Sequence, residues 1–196
     1  MKQKIVLASS SPRRKALLKK AGVRFTAVEH KAGEGLRAGI SPRRLVEMLA
    51  EKKARSVAKR MRDCVVIGAD TLVVCNGKRL GKPKDAKHAL GMLKRISGKR
   101  LGVYSGVAVV DSETGSMCVC SEKTIVVMKR MNEAEIRAYV RTGEPIGKAG
   151  AIAVQGKGAK YILRMQGSRS NVVGLPMACL RKGLGKFGVK LKWRKE

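Results

Sequence analysis

Asp70 is the first residue that asks for a chemical explanation. It lies within Cys64-Val65-Val66-Ile67-Gly68-Ala69-Asp70-Thr71-Leu72-Val73-Val74, a run otherwise apolar enough to be a buried strand. A carboxylate placed there is costly to desolvate unless it is paired, holds a metal or lines a cleft. The bland alternative is an Asp tied to backbone or to an arginine for structural reasons. With only 14 Asp and Glu in 196 residues, an acid in mid-strand favours function.

Three further clusters suit phosphate. Ser9-Ser10-Ser11-Pro12-Arg13-Arg14 sits where a strand gives way to a helix. Free N–H groups at a helix start, Ser hydroxyls and two guanidiniums together make a phosphate cradle. The string Ser-Pro-Arg-Arg recurs at 41–44, where nothing else suggests function, so alone it reads as a helix start with solvated arginines. Its position after a buried strand favours the first copy. Gly81-Lys82-Pro83 follows the hairpin that returns from the Asp70 strand, and Lys82 could neutralise phosphate charge in the same cleft; alone it is a weak signal. The late segments Gly143-Glu144-Pro145, Lys148-Ala149-Gly150-Ala151, Gln155-Gly156 and Gly167-Ser168 are rich in Gly, which lets backbone approach a ligand closely. Gln155 carries both a donor and an acceptor for a base edge. Plain surface turns are the alternative there.

Together these residues suggest phosphate and Mg²⁺ chemistry on a nucleotide. Magnesium is held by one or two carboxylates plus substrate phosphate oxygens, and Asp70 and Glu34 are the acids nominated. A carboxylate that activates water beside Mg²⁺ or Mn²⁺ needs no covalent intermediate.

The elements that must position these residues alternate between strand and helix, which points to α/β architecture. The pattern predicts a strand at Lys4–Ala8. A helix over Pro12–Ala21 follows, with Ser11 as N-cap, Pro12 at its first position and Gly22 past its end. A longer helix runs from Pro42 to about Arg62, and a buried strand from Val65 to Val74, ended by the turn Asn76-Gly77. Asp85–Ile96 is helical, Val103–Asp111 and Met117–Met128 are strands, and Asn132 with Glu135 forms a capping box for a helix ending at Gly143. The region from Glu144 to Pro176 reads as loops, and Met177–Leu184 as a last helix.

Composition narrows the class. A chain of 196 residues with 44% hydrophobic content forms one domain, or one domain with two lobes around a cleft. No apolar run approaches the ~18–20 residues of a membrane span, and Met1–Leu7 is too short for a signal peptide's apolar region. The expected location is the cytoplasm, with no membrane insertion. Five cysteines without a C-x-x-C pair read as reduced, mostly buried thiols. Two histidines leave no H-E-x-x-H motif and argue against a Ser-His-Asp triad. The formal charge of +30 attracts polyanions. The basic residues are spread along the whole chain, which also fits a general surface habit.

In their order and spacing, Leu7 to Arg14, Lys53-Ala54, Gly68-Ala69-Asp70-Thr71, Gly81-Lys82-Pro83, Gly143-Glu144-Pro145, Lys148-Ala149-Gly150-Ala151, Gln155-Gly156 and Asn171-Val172-Val173-Gly174-Leu175-Pro176 resemble the Maf family of nucleoside triphosphate pyrophosphatases. The resemblance spans nearly the whole chain, and 1–196 is read as a single Maf-like domain. It implies an α/β fold with a mixed, strongly curved sheet, flanking helices and two lobes around a deep cleft, related to the inosine triphosphate pyrophosphatases. It implies that Asp70 is the proton acceptor, with Ser9, Ser11, Arg13, Arg14, Lys53, Lys82 and Glu34 around the phosphates and a divalent metal. Within the family, the Gly-Ala-Asp-Thr strand and the later Gln-Gly resemble the branch acting on dTTP and UTP, with Arg13, Thr71 and Gln155 tied to that choice. Homodimers are implied as well. This chain departs from the pattern at Lys52, Leu101, Ser105, Ile152 and Arg169.

The rival class is a basic nucleic-acid-binding protein, or a regulator of cell division with little or no turnover. An aromatic content of 3% leaves little to stack on bases, and no nucleic-acid-binding motif is present. Non-specific association with nucleic acid through the basic surface is expected only as a side effect.

Overall fold

The computed structural model describes residues 4–33, 39–191 and 193. Its strands and helices, in chain order, are β1 (Lys4–Leu7), α1 (Pro12–Lys20), β2 (Thr26–Ala27), α2 (Pro42–Ala58), β3 (Cys64–Cys75), β4 (Lys78–Leu80), α3 (Ala86–Ile96), β5 (Arg100–Asp111), β6 (Met117–Met128), α4 (Glu133–Arg141), β7 (Ile162–Gln166), α5 (Arg169–Val173) and α6 (Met177–Gly185), with 3₁₀ turns at Ala149–Ala151 and Gly156–Tyr161. Seven strands form one open sheet in the order β2-β1-β3-β5-β6-β7, with β4 paired to β3. β1 runs parallel to β2 and β3, whereas β3/β4 and β6/β7 are antiparallel. The fold is therefore α/β, as the alternating pattern implied, with the mixed sheet and flanking helices that the resemblance implied.

The described residues divide into two compact units. The first comprises 1–71, 105–122 and 174–196; the second comprises 72–104 and 123–173.

The core of the first unit packs α2 against the sheet. Along α2, Leu45, Val46, Leu49, Ala50, Lys53, Ala54, Val57 and Ala58 are buried, the three- and four-residue spacing of one helix face. Of these, Ala50, Ala54, Val57 and Ala58 form one core with Val6, Ala8, Cys64, Val66, Ala108 and Val110. Two glycines let the helix come unusually close. A Cβ at Gly68 would stand 2.2 Å from the Ala50 carbonyl oxygen and 2.6 Å from the Ala54 nitrogen. A Cβ at Gly106 would stand 2.4 Å from the Val46 carbonyl oxygen. Glycine is required at both because the neighbour is helix backbone, which has no rotamer with which to yield.

Also in the first unit, α6 packs its Gly183 against Val109 of β5. A disulfide joins Cys179 of α6 to Cys120 of β6. This corrects the expectation of five reduced thiols: Cys64, Cys75 and Cys118 are free and buried, but the fold brings two distant cysteines to a Cα separation of 5.4 Å, within bridging range.

The second unit has its own core, in which Leu93, Ile96, Leu101, Met128, Tyr139 and Tyr161 are central. The Tyr139 and Tyr161 rings meet at 5.4 Å and 56°, a tilted geometry that aromatic quadrupoles favour. Burial, and next the Glu144 carboxylate, push the Tyr139 phenol well above its ordinary pKa. The capping box forms as the sequence predicts, with Glu135 N–H on Asn132 Oδ1 and Asn132 N–H on Glu135 Oε2, both at 2.8 Å. The Asn76-Gly77 turn also forms, both residues taking positive φ between β3 and β4. The segment read as loops from Glu144 onward carries more structure than expected, including β7 and α5. It is organised by side chains: Glu144 accepts from the N–H groups of Lys157 and Gly158, and Asn171 donates to the Val103 carbonyl and to Thr124.

Candidate active site

Asp70 lies two residues beyond Gly68 on β3, so both face the same side of the sheet. Gly68 lets α2 lie directly on that side, which brings Lys53 of α2 to Asp70. The Lys53 Nζ donates to Asp70 Oδ1 at 2.7 Å, the lysine side chain 3% exposed and the aspartate 13%. The desolvation cost inferred for Asp70 from sequence is thus offset by a charge-assisted hydrogen bond. The carboxylate keeps a partly exposed surface.

The strand-to-helix turn after β1 lies beside this part of β3. Leu7 pairs with Ile67, and the Ala8 N–H donates to the Ile67 carbonyl at 2.8 Å. Ser9 is buried, and its hydroxyl accepts from the Ser11 N–H at 3.2 Å and from Arg14 at 3.3 Å. Ser11 occupies the N-cap position of α1 but makes no side-chain cap; Ser41 does cap α2, accepting from the Arg44 N–H. Of the two Ser-Pro-Arg-Arg copies, the second is therefore the ordinary helix start. Burial lowers the pKa of Arg13 below the usual guanidinium value, yet a guanidinium stays charged at neutral pH.

Arg14 turns toward a hydroxyl network. Its Nε donates to the Gly174 carbonyl at 2.8 Å and one terminal nitrogen donates to Thr71 Oγ1 at 3.3 Å. Thr71 Oγ1 lies 2.9 Å from Ser105 Oγ. Gly174 has φ +116°, a backbone conformation that L side chains rarely adopt, and its carbonyl accepts from Arg14.

Ser9, Ser11, Arg13, Arg14, Lys53, Asp70 and Thr71 thus fall in one unit. Lys82 and Gln155 fall in the other and both are exposed. In that unit the Gly150 N–H donates to the Gly81 carbonyl at 3.0 Å, joining the Gly81-Lys82-Pro83 segment to the late Gly-rich turns. Glu34 lies outside the described residues. Among the described residues no three His, Cys, Asp or Glu side chains gather as a metal cluster. The donor set nevertheless suits a cation whose other ligands come from substrate phosphate, since Asp70 is a partly exposed carboxylate with one oxygen turned to Lys53.

Residues 4–187 match the Maf-like protein family. The chain belongs to that family. A relative from Pelotomaculum thermopropionicum, a dTTP/UTP pyrophosphatase, is 51% identical over 186 residues, covering 95% of this chain and 97% of that protein. The dTTP/UTP pyrophosphatase of Moorella thermoacetica is 45% identical, covering 95% of this chain and 96% of its own. Among solved structures, the Staphylococcus aureus Ham1 protein overlaps 64% of this chain and 72% of its own, with a TM-score of 0.46 and 16% identity.

The hydrogen bond of Ser105 to Thr71 and the positive φ of Gly174 were not legible before the fold. Glu122 was not singled out from the sequence either. It is an acid within a mostly apolar strand, the signal that singled out Asp70, and its Oε2 is buried without a hydrogen-bond partner.

Proposed function

We propose that this chain is a nucleoside triphosphate pyrophosphatase that hydrolyses dTTP and UTP to the monophosphate and pyrophosphate. The family and the names of its relatives support the activity. The observation that carries the mechanism is Asp70, held by Lys53 beside a helix start that bears Ser9, Arg13 and Arg14.

In this reading a water molecule attacks the α-phosphorus. Asp70 accepts the proton as the new P–O bond forms, and the bond from the α-phosphorus to the bridging oxygen breaks. The two electrons of that bond leave with pyrophosphate. Lys53 holds the Asp70 carboxylate in its orientation through the 2.7 Å hydrogen bond. Arg13, Lys53 and Lys82 neutralise charge on the phosphates, most strongly as charge builds on the leaving group. Ser9 and Ser11 add hydroxyl contacts. Asp70 and Glu34 would hold a Mg²⁺ or Mn²⁺ ion, which when bound polarises the phosphate oxygens. Thr71, Arg13 and Gln155 are assigned to base choice.

The same reading takes 1–196 as one Maf-like domain working in the cytoplasm as a homodimer, the last point checked by light scattering. No helix among the described residues is long and apolar enough to cross a membrane. The +30 charge makes weak RNA association an expected side effect that is lost as salt rises.

The test is pyrophosphate release with Mg²⁺ or Mn²⁺ across dTTP, UTP, CTP, GTP, 7-methyl-GTP and inosine triphosphate, with Asp70→Asn as control. Selective hydrolysis of dTTP and UTP is expected, falling about 10³-fold in the control. Undiminished activity in a folded Asp70→Asn protein would refute the mechanism.

A further inference from the structure

Glu122 has a definable place in the first unit although it is distant in sequence from the Asp70 strand. At the turn between β5 and β6 the Asp111 N–H donates to the Ser116 carbonyl at 3.0 Å. Six residues back along β5 stands Ser105, and six residues forward along β6 stands Glu122. A regular antiparallel ladder therefore sets the two opposite each other, Cβ atoms about 5 Å apart on one face. Side-chain alternation gives the same answer independently. Cys120, two residues before Glu122, is bonded to Cys179 of α6, and Val109, four residues after Ser105, packs on Gly183 of α6. The neighbours that point the other way meet α2: Gly106 abuts Val46, and the Ser121 hydroxyl donates to Glu47.

Glu122 thus shares a sheet face with Ser105, whose hydroxyl bonds to Thr71 in the network with Arg14 and Gly174. Glu122 Oε2 is buried with no hydrogen-bond partner, and burial raises its pKa. A desolvated acceptor without a donor is destabilising, so the position calls for a donor that the described fold does not supply.

We propose that Glu122 is a specificity-determining residue whose carboxylate accepts the imide N3–H of a uracil or thymine base. Those bases present a donor at N3, whereas cytosine presents a bare acceptor there, which a carboxylate repels. This rests on the dTTP/UTP reading above and adds to Thr71 a group that distinguishes the pyrimidines from one another.

The experiment measures kcat/KM for UTP, dTTP and CTP in the wild type, Glu122→Gln and Glu122→Leu, with thermal unfolding of each. Wild type is expected to prefer UTP and dTTP. E122Q is expected to lose about 10- to 100-fold on both while CTP is spared or improved, because the amide can donate to N3 of cytosine. E122L, which removes the buried charge without adding a polar group, carries the comparison should E122Q not fold; it loses UTP and dTTP activity without gaining on CTP. A wild type lacking the preference refutes the dTTP/UTP reading and the imide contact with it. A wild type with the preference, but with UTP:CTP ratios unchanged in the folded variants, refutes the role of Glu122 alone. A uniform fall on all three substrates does the same, since it is what a purely structural residue would produce.

Discussion

Gly68→Ala tests whether the close approach of α2 to β3 builds the site. The added methyl would lie 2.2 Å from the Ala50 carbonyl oxygen, 2.6 Å from the Ala54 nitrogen and 2.9 Å from the Ala54 Cβ. Ordinary contact begins near 3.4 Å, so α2 must withdraw by roughly 1 Å or β3 must bend away, at a cost of about 1–3 kcal/mol for overpacking. At about 2–4 °C per kcal/mol for a chain of this size, a fall in melting temperature of roughly 2–12 °C is expected. The same displacement would stretch the 2.7 Å contact between Lys53 and Asp70. A reacting group misplaced by about 1 Å costs on the order of 10²-fold in rate. Thermal unfolding and pyrophosphate release on one preparation supply both numbers. A variant with unchanged melting and unchanged kcat/KM would show that β3 and α2 are not in the contact described, and would remove the account of how Lys53 reaches Asp70.

Other outcomes follow from single features. Lys53→Met leaves a largely buried carboxylate unpaired and is expected to cost about 3 kcal/mol; adding Asp70→Asn should recover part of that loss in urea denaturation, whereas additive losses would argue against direct pairing. Burial raises the Glu122 pKa, so the folded chain holds that proton more tightly than the unfolded chain does. The stability of the protonated form is present in full below the ordinary Glu value and is lost as pH rises through the raised one. Glu122→Gln should therefore melt like wild type near pH 4 and higher than wild type at about pH 7–8; equal melting at both would refute the buried, unpaired carboxyl. The Cys120–Cys179 bridge closes a separation of 59 residues, for which loop-closure entropy predicts about 4 kcal/mol. Thiol titration of the unfolded, unreduced protein should find three free thiols, and reduction should lower its melting temperature; five free thiols would show the bridge absent.

Much of this was legible because it is local. The capping box of Asn132 and Glu135 and the Asn76-Gly77 turn are satisfied within a few residues of backbone, so residue type alone announces them. Asp70 was conspicuous for a related reason: an ionisable group inside an apolar run stands out whatever surrounds it. Ser11 shows the limit of such signals. It has the residue type and position of an N-cap, yet in the fold it is the Ser11 N–H that bonds, to the Ser9 hydroxyl, because the buried Ser9 and Arg14 organise that turn instead.

By itself, then, the chain determined its alternating α/β elements, its turns and caps, and a set of phosphate-suited residues whose order resembles one family. Only the tertiary structure decided which of them meet. Lys53 and Asp70 are 17 positions apart, and their pairing depends on two glycines that admit a helix to a sheet. Cys120 and Cys179 meet because α6 lies on the face opposite α2, and Glu122 stands opposite Ser105 because of the register set at a distant turn. Local signals reflect the conformations and hydrogen bonds of a few consecutive residues, whereas these partnerships depend on how whole elements pack.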